Sequence, residues 1–506
     1  MLKRSGSLLL AFTLLFGIGL STPIVASADT NAVAKIQGYS NPLMTQKFGA
    51  DPYVMVYNGR VYVYMSSDAY MYNNGNVIDN NYSNIKSITC ISSDDMVNWT
   101  DHGEIPVAGS NGAAKWASNS WAPAVTHKVI DGKEKFFLYF ANNAGSIGVL
   151  TADTPIGPWT DPLGKAMITN STSGVNGVVW LFDPAVLVDD NGTGYLYFGG
   201  GIPGGNSPTQ SQIANPKTSR VIKLNNDMIH TDGSAAVIDA PFIFEDSGVH
   251  KYNGKYYYSY CSNFAGNHPN GTPPKGEIAY MVSDNPMGPF TYKGTFLKNP
   301  GTFFGVGGNN HHAVFQFSNQ WYVVYHAQTL GKALGVTKGY RSPHINKLGY
   351  SGNGVINNVT ADMQGVPQVA NFNPYKRTEA ETIGWNGGIL TEKSQAAGTI
   401  VKNINLDVTS INNGDWLAVS KADFRNGAKS FKANISSTVG GKIEIHLDSL
   451  DGQLIGTLNV SSTGGEQQWR EMQCNVKSVS GVHNVFLKFT GISNKNLFNI
   501  DYWQFS

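Results

Sequence analysis

Five stretches of this chain carry one pattern: an apolar alternation, a short polar turn with Asn or Gly, then an aromatic alternation. They are DPYVMVYNGRVYVYMSSD from Asp51, APAVTHKVIDGKEKFFLYFAN from Ala122, DPAVLVDDNGTGYLYFGGG from Asp183, EDSGVHKYNGKYYYSYCSN from Glu245 and HAVFQFSNQWYVVYHAQ from His312. Alternation with a period of two marks a half-buried strand, and the polar turns join neighbouring strands into hairpins. Successive hairpins start about 60 to 70 residues apart, a spacing that suits one propeller blade. A second phrase recurs between them, as ISSDDMVNWT at 91–100, LTADTPIGPWT at 150–160 and MVSDNPMGPFT at 281–291. Each phrase reads as a strand, a Pro/Gly turn and the start of an outer strand. Hairpin plus phrase predicts a four-stranded antiparallel unit, and five such units predict an all-β chain with a five-bladed β-propeller. A stacked β-solenoid is the structural alternative, but its rungs are much shorter.

In a propeller the innermost strand of each blade lines a central funnel, so matched positions from distant parts of the chain converge. Asp51, Asp183 and Glu245 stand at or next to that position. Three carboxyls sharing a funnel raise each other's pKa, most for the one with apolar neighbours. Glu245 follows Phe242-Ile243-Phe244 and is the one expected to keep its proton near neutral pH. Asp51 and Asp183 each precede a proline, which fixes the local backbone and removes a competing donor. An Asp-Pro at a strand start is by itself commonly just a turn; three acids at matched positions are another matter. A neutral carboxylic acid facing a carboxylate across a sugar-sized gap is what glycoside hydrolysis needs.

Composition bounds the partners. Lys+Arg is 36 against Asp+Glu 35, so no field favours nucleic acid or an anionic membrane. Charged residues are 14% while aromatics reach 11% and glycines number 57, which suits an extracellular β protein meeting a neutral ligand such as a sugar. The chain opens MLKRSGSLLLAFTLLFGIGLSTPIVASADT, with a basic start, an apolar run from Leu8 to Leu20 and small residues at Ala26-Ser27-Ala28. This reads as a secretory signal peptide over residues 1–28 and predicts an exported protein; a retained N-terminal anchor is the alternative. Cys90, Cys261 and Cys474 form neither a disulfide framework nor a zinc motif. Cys90 and Cys261 are most simply buried thiols, with a single Cys90–Cys261 bridge as the alternative.

GADPYVMVYNGRVYVYMSSD, WLFDPAVLVDDNGTGYLYFGGG, FIFEDSGVHKYNGKYYYSYC and GGNNHHAVFQFSNQWYVVYHAQ together resemble glycoside hydrolase family 43. More narrowly, they are similar to bacterial enzymes that remove arabinose side groups from xylan. The resemblance covers roughly residues 35 to 372. It implies Asp51 as general base, Glu245 as general acid and Asp183 as the residue that orients the acid and tunes its pKa. It implies inversion at the anomeric carbon, for which the two reacting carboxyls stand roughly 6.5–9.5 Å apart. It further implies substrate contacts for Trp180, Phe264, Asn309 and Arg341, although Trp180 and Phe264 read equally well as strand-edge core aromatics. Arg341, a cation among aromatics, needs a partner: a catalytic carboxylate or sugar hydroxyls. In this family a histidine at the position of His311 faces a calcium on the propeller axis, mostly through water. The plain alternative is a hydrogen-bonded histidine filling the funnel floor, and His312 is a weaker candidate for the same place.

From about Tyr375 the periodicity changes to short strands, among them GDWLAVSKADF, KSFKANISS, GKIEIHLDS, GVHNVFLKFTG and LFNIDYWQF. Residues 373–506 are expected to form a β-sandwich of jelly-roll type, after a catalytic domain over 29–372. The segment resembles carbohydrate-binding module family 6, which implies a structural calcium held by Glu379, Glu381, Asp501 and a carbonyl near Asn403. Such modules grip sugar with two cleft aromatics, whereas this chain has Ser410 and Ile411 in the first region and Glu466 in the second. Sugar binding through that cleft is therefore not expected. Trp385, Trp416, Trp469 and Trp503 read as sandwich core or rim.

The leading expectation is a secreted, monomeric, inverting α-L-arabinofuranosidase acting on arabinoxylan. β-Xylosidase and endo-arabinanase share the propeller and carboxylates and stay open, as does, from another class, a non-catalytic xylan-binding propeller.

Overall fold

The computed structural model describes residues 33–396, 405–425 and 427–506. The expected signal peptide and Asn403 lie outside these residues.

The polar turns do what their sequences dictate. Asn58-Gly59 joins Ala50–Tyr57 to Arg60–Ser66 with φ of 47° and 71°, and Asn253-Gly254 joins Ile243–Tyr252 to Lys255–Ser262 with φ of 48° and 73°. Two successive left-handed residues make the type I′ turn whose twist matches a hairpin, and Asn-Gly accepts it at least strain.

The hairpins seed separate antiparallel sheets. The first contains Ala50–Tyr57, Arg60–Ser66, Ser87–Ser93 and Trp99–Pro106, and the third Ala185–Val188, Gly194–Phe198, Ser219–Leu224 and Thr231–Ile238. The fourth contains Ile243–Tyr252, Lys255–Ser262, Ile278–Ser283 and Thr291–Leu297. The second and fifth depart from the expected four strands and have three: Trp121–Ile130, Lys133–Asn142 and Ser146–Ala152, then His312–Phe317, Gln320–Ala327 and Ser342–Leu348. In the second, Pro155 and Pro158 each lack a ladder donor, and the segment that follows makes only isolated bridges such as Thr151–Thr160 and Ile147–Ile168. The first strands of these sheets stand side by side, each against the next, and the last lies against the first. Val63, Tyr139, Phe198, Tyr258 and Val324, one from each sheet and all fully buried, belong to one apolar core.

The C-terminal segment forms two facing antiparallel sheets. One orders Leu390–Lys393, Leu406–Thr409, Asn499–Phe505, Ser430–Ser437 and Gly465–Asn475; the other orders Trp385–Gly387, Trp416–Asp423, Val482–Thr490, Gly441–Leu447 and Gln453–Val460. Phe431, Ile445, Leu487 and Trp503 fill the space between them. The sandwich is stitched to the first N-terminal sheet, because Thr382–Ile383 pairs with Thr100 and Trp99. Trp385 and Trp416 pack with Val97 and Phe486, and Trp385 Nε1 donates to the Tyr39 carbonyl at 3.0 Å. These two tryptophans are thus interface residues, and Trp469 is half-buried on the strand Gly465–Asn475. Ile411 is fully buried in the sandwich core and Glu466 is exposed, so neither supplies a sugar-stacking face. Cys90, Cys261 and Cys474 are free thiols, and the alternative of a Cys90–Cys261 bridge is overturned: the two lie in different sheets.

Candidate active site

Asp51, Asp183 and Glu245 come together because the chain is irregular at or just before the start of the strands they belong to or precede. The first hairpin loses register between Ala50 and Tyr53, and the fourth between Ile243 and Glu245 and again between Glu245 and Gly248. Asp51 and Asp183 adopt left-handed backbone angles, φ 49° and 47°, each just before its proline. Ala122, at the matching point of the second sheet, does the same with φ 40°. The kink is shared by several strand starts; the carboxyl is particular to some.

All three acids line one cavity of about 520 Å³, together with Trp180, Phe264, Asn309, His311 and Arg341. Every residue expected to bind substrate is therefore at the site. Tyr82, Trp121, Phe182 and Phe244 are the further aromatics of the wall. Their alternation gave no sign of this role, since funnel aromatics and core aromatics follow the same period. Phe264 is 42% exposed, the open platform of the group, and its ring stands edge-on to Phe244 at 5.7 Å. Phe244 in turn meets Trp180 at 5.1 Å. A second cavity, of about 440 Å³, is lined by Val54, Val186, His250 and Trp321 and contains none of the three acids.

The surroundings give the three carboxyls different chemistry. Asp51 Oδ1 accepts from Arg341 Nη1 at 2.6 Å and Oδ2 accepts from Ser66 Oγ at 2.7 Å. Its N–H donates to His326 Nδ1 at 3.1 Å. Burial pushes this carboxyl up, but the Arg341 guanidinium and the neighbouring histidines outweigh burial and hold it well below the usual range. Arg341 is itself 2% exposed, with Nε and Nη2 on the two oxygens of Asp68 at 2.9 and 2.8 Å and its plane over Tyr82. Three of its five N–H donors are thus on carboxylates. Asp68 is a site residue that sequence reasoning missed, seventeen residues past Asp51 in the same hairpin phrase.

Glu245 is buried, and its Oε1 has no hydrogen-bond partner. Burial first, then the charges of Asp183 and Asp51, push its pKa well above the ordinary value. Asp183 is raised by burial and by Asp51 as well, yet its Oδ2 accepts the N–H of Asp246 at 2.9 Å, a bond that favours the ionised form. Of this coupled pair, Glu245 is the better holder of the proton.

His311 stands among carboxylates, its Nε2 3.2 Å from Asp246 Oδ1 and its Nδ1 3.7 and 3.9 Å from Asp51 and Asp183. Its ring nitrogens face the carboxylate oxygens of three acids, and such oxygens are the ligands calcium prefers. The expected role of His311, facing a calcium ion through water, requires no direct bond from either ring nitrogen. In the sandwich, Glu381 is buried with an unpartnered Oε2, near enough to Glu379, Asp101 and Asp501 for their charges to add to the upward push of burial. Arg377 bridges Glu379 and Asp501, and Asn405 and Asn434 donate to the Asp501 oxygens at 3.1 Å. Glu381 Oε2 is an orphaned carboxylate oxygen of the kind a hard cation takes, whereas the Glu379 and Asp501 oxygens already accept from nitrogen donors, and no closed group of three metal-holding side chains occurs among the described residues. Glu379 and Glu381 do not share one strand: Thr378–Glu379 pairs with the last strand, whereas Thr382–Ile383 crosses to the propeller-side sheet.

A family model for glycosyl hydrolases family 43 matches residues 39–356. This chain belongs to glycoside hydrolase family 43. A model for carbohydrate binding module (family 6) matches residues 379–506. The chain is 62% identical to the arabinoxylan arabinofuranohydrolase of Paenibacillus polymyxa over 100% of its own length and 80% of that protein's. It is 63% identical to the arabinoxylan arabinofuranohydrolase of Bacillus subtilis (strain 168), over 96% of each chain. The crystal structure of a family 43 arabinoxylan arabinofuranohydrolase from Bacillus subtilis, in complex with cellotetraose, superposes with a TM-score of 0.92 at 64% identity, covering 94% of this chain and 99% of that one.

Proposed function

We propose that the protein is an exported, inverting glycoside hydrolase that releases α-L-arabinofuranosyl side groups from arabinoxylan. The observation that carries this reading is the opposite tuning of two carboxyls in one cavity: Asp51 held ionised by Arg341, and Glu245 buried without a partner. In the reaction Glu245 gives its proton to the glycosidic oxygen as the bond to the anomeric carbon breaks. Water attacks that carbon from the opposite face, and Asp51 takes the proton the water loses. Arabinose leaves with inverted configuration and the xylan hydroxyl is restored. Asp183, tied to the Asp246 N–H, keeps a negative group beside Glu245 and so helps keep the proton on it. Trp180, Phe264 and Asn309 receive the sugar; stacking on exposed rings suits its apolar face.

The five sheets, whose first strands neighbour one another in a closed order, are read as a five-bladed propeller spanning 29–372, with the sandwich over 373–506 and a leader over 1–28. Glu379, Glu381 and Asp501 would hold a calcium ion, whose charge would neutralise carboxylates gathered beside the propeller–sandwich seam. The protein acts as a monomer in this reading.

Chromatography of products from wheat arabinoxylan tests the proposal, with Glu245→Gln as control. Free arabinose from the wild type alone, appearing by NMR first as the β anomer, is the expected result. Xylose, arabino-oligosaccharides, or equal yields from both proteins would overturn it.

A further inference from the structure

Beneath the cavity lies a set of buried groups that this reaction does not use. Asp246, directly after Glu245, adopts φ 69° inside the break in strand register between Glu245 and Gly248. A left-handed non-glycine residue is strained and persists where its neighbours over-determine it. Here they do. The Asp246 N–H donates to Asp183 Oδ2 at 2.9 Å, its Oδ1 accepts the His312 N–H at 3.1 Å, and its Oδ2 lies 2.5 Å from His312 Nδ1. His312 Nε2 is 2.7 Å from Ser259 Oγ. With Asp246 as acceptor, Nδ1 carries the imidazole proton and Nε2 accepts from the serine hydroxyl.

The order Ser–His–Asp is that of a nucleophilic triad, but Ser259, His312 and Asp246 are all 0% exposed, so no substrate reaches the hydroxyl. The third residue after Glu245 also serves this arrangement. A Cβ at Gly248 would lie 2.7 Å from Ser259 Oγ and 2.9 Å from His312 Nε2, so the missing side chain leaves room for their bond.

We propose that Asp246 is a positioning residue for the general acid. The Ser259–His312 tether locks the Asp246 carboxylate, and the locked residue fixes the direction in which Glu245 presents its proton, through their shared peptide and through the bond from its N–H to Asp183. This rests on the reading of Glu245 as the general acid.

The test compares two substrates in the full chain. Arabinoxylan has a sugar hydroxyl as leaving group and needs the proton; 2,4-dinitrophenyl α-L-arabinofuranoside has a leaving group that departs without one. For His312→Ala, kcat on arabinoxylan falls about 100-fold with KM within about twofold, because a general acid displaced by about 1 Å loses that much. On the dinitrophenyl glycoside kcat changes less than about threefold, since proton donation adds little there. His312→Asn, whose amide nitrogen can replace Nδ1 as donor to Asp246, recovers about tenfold of the lost rate. Equal losses on both substrates, a change confined to KM, or no loss at all would overturn the proposal. Should His312→Ala fail to fold, Ser259→Ala decides by the same comparison, with about a fivefold loss expected on arabinoxylan alone. Wild-type release of arabinose, measured in parallel, separates the two failures: without it both readings fall, and with it only the substrate comparison bears on Asp246.

Discussion

Replacing Arg341 by methionine isolates what the buried guanidinium does. The substitution keeps most of the side-chain volume and removes the charge. Arg341 bridges Asp51 at 2.6 Å and Asp68 at 2.8 Å, with all three residues 6% exposed or less. At an effective dielectric near 20, unit charges this close attract by about 6 kcal/mol per pair, much of it offset by the desolvation of each group. Breaking such a pair from one side leaves uncompensated buried charge, and about 3–5 kcal/mol of stability should be lost at pH 7. Asp51 keeps its Ser66 bond, which places the expected loss toward the lower end.

The pH dependence gives the sharper check. In the wild type the Asp51 pKa is depressed, so its stabilising contribution is complete above the unfolded value of about 3.9 and is lost only as pH falls below it. Without Arg341 burial dominates and raises this pKa, so protonation relieves the variant as pH falls from 7 toward 5. The stability gap measured by urea unfolding should therefore narrow over that interval. Activity should move with it: the acid limb of kcat/KM, set by Asp51 as base, shifts to higher pH in the variant. A gap constant between pH 7 and 5, together with an unmoved acid limb, would refute the assignment of Arg341 as the group that keeps Asp51 ionised.

Three further measurements bear on the site. Wild-type kcat/KM should fall as pH rises through the elevated Glu245 pKa, because the acid then loses its proton, and the acid limb should lie below the ordinary carboxylate range. Phe264→Ala should cost about 1–2 kcal/mol of substrate binding, a five- to thirtyfold rise in KM at nearly unchanged kcat, by analogy with other ring stacking on aromatic platforms. Calcium at 100 times its Kd should stabilise the sandwich by about 2.7 kcal/mol, seen as a higher thermal midpoint that EGTA reverses; Glu381→Gln should abolish the shift, and a midpoint indifferent to both would remove calcium from the description.

What the sequence revealed and what it hid follow from physical range. Strand alternation and Asn-Gly turns are local, and the hairpins they predict are present with the expected register at Tyr57–Arg60 and Tyr252–Lys255. Convergence of Asp51, Asp183 and Glu245 was also legible, because the repeat places them at equivalent points. The partners that tune them were not. Ser66 and His326 reach Asp51 across the hairpin or the funnel, and Asp68 acts on it only through Arg341; neither spacing nor composition reports a side-chain direction set by a bulge. The sandwich tryptophans were ambiguous for the same reason: Trp385 and Trp416 face Val97 across a seam between domains, a contact without local period.

The site also shows why residue type alone says little about role. Asp51 and Asp183 share a left-handed backbone, a following proline and near-complete burial, and would be equivalent if sequence decided their chemistry. They differ in who stands beside them. Asp51 meets a guanidinium at 2.6 Å, whereas Asp183 meets a single peptide N–H at 2.9 Å, and Glu245 has no partner for Oε1. The donors thus decline from a full charge to a dipole to nothing, and the affinity for a proton rises along the same series. A cavity that holds a base and an acid together needs that gradient. Moving Arg341's charge from Asp51 to Asp183 would leave the three carboxyls in place and reverse which of them can accept a proton from water.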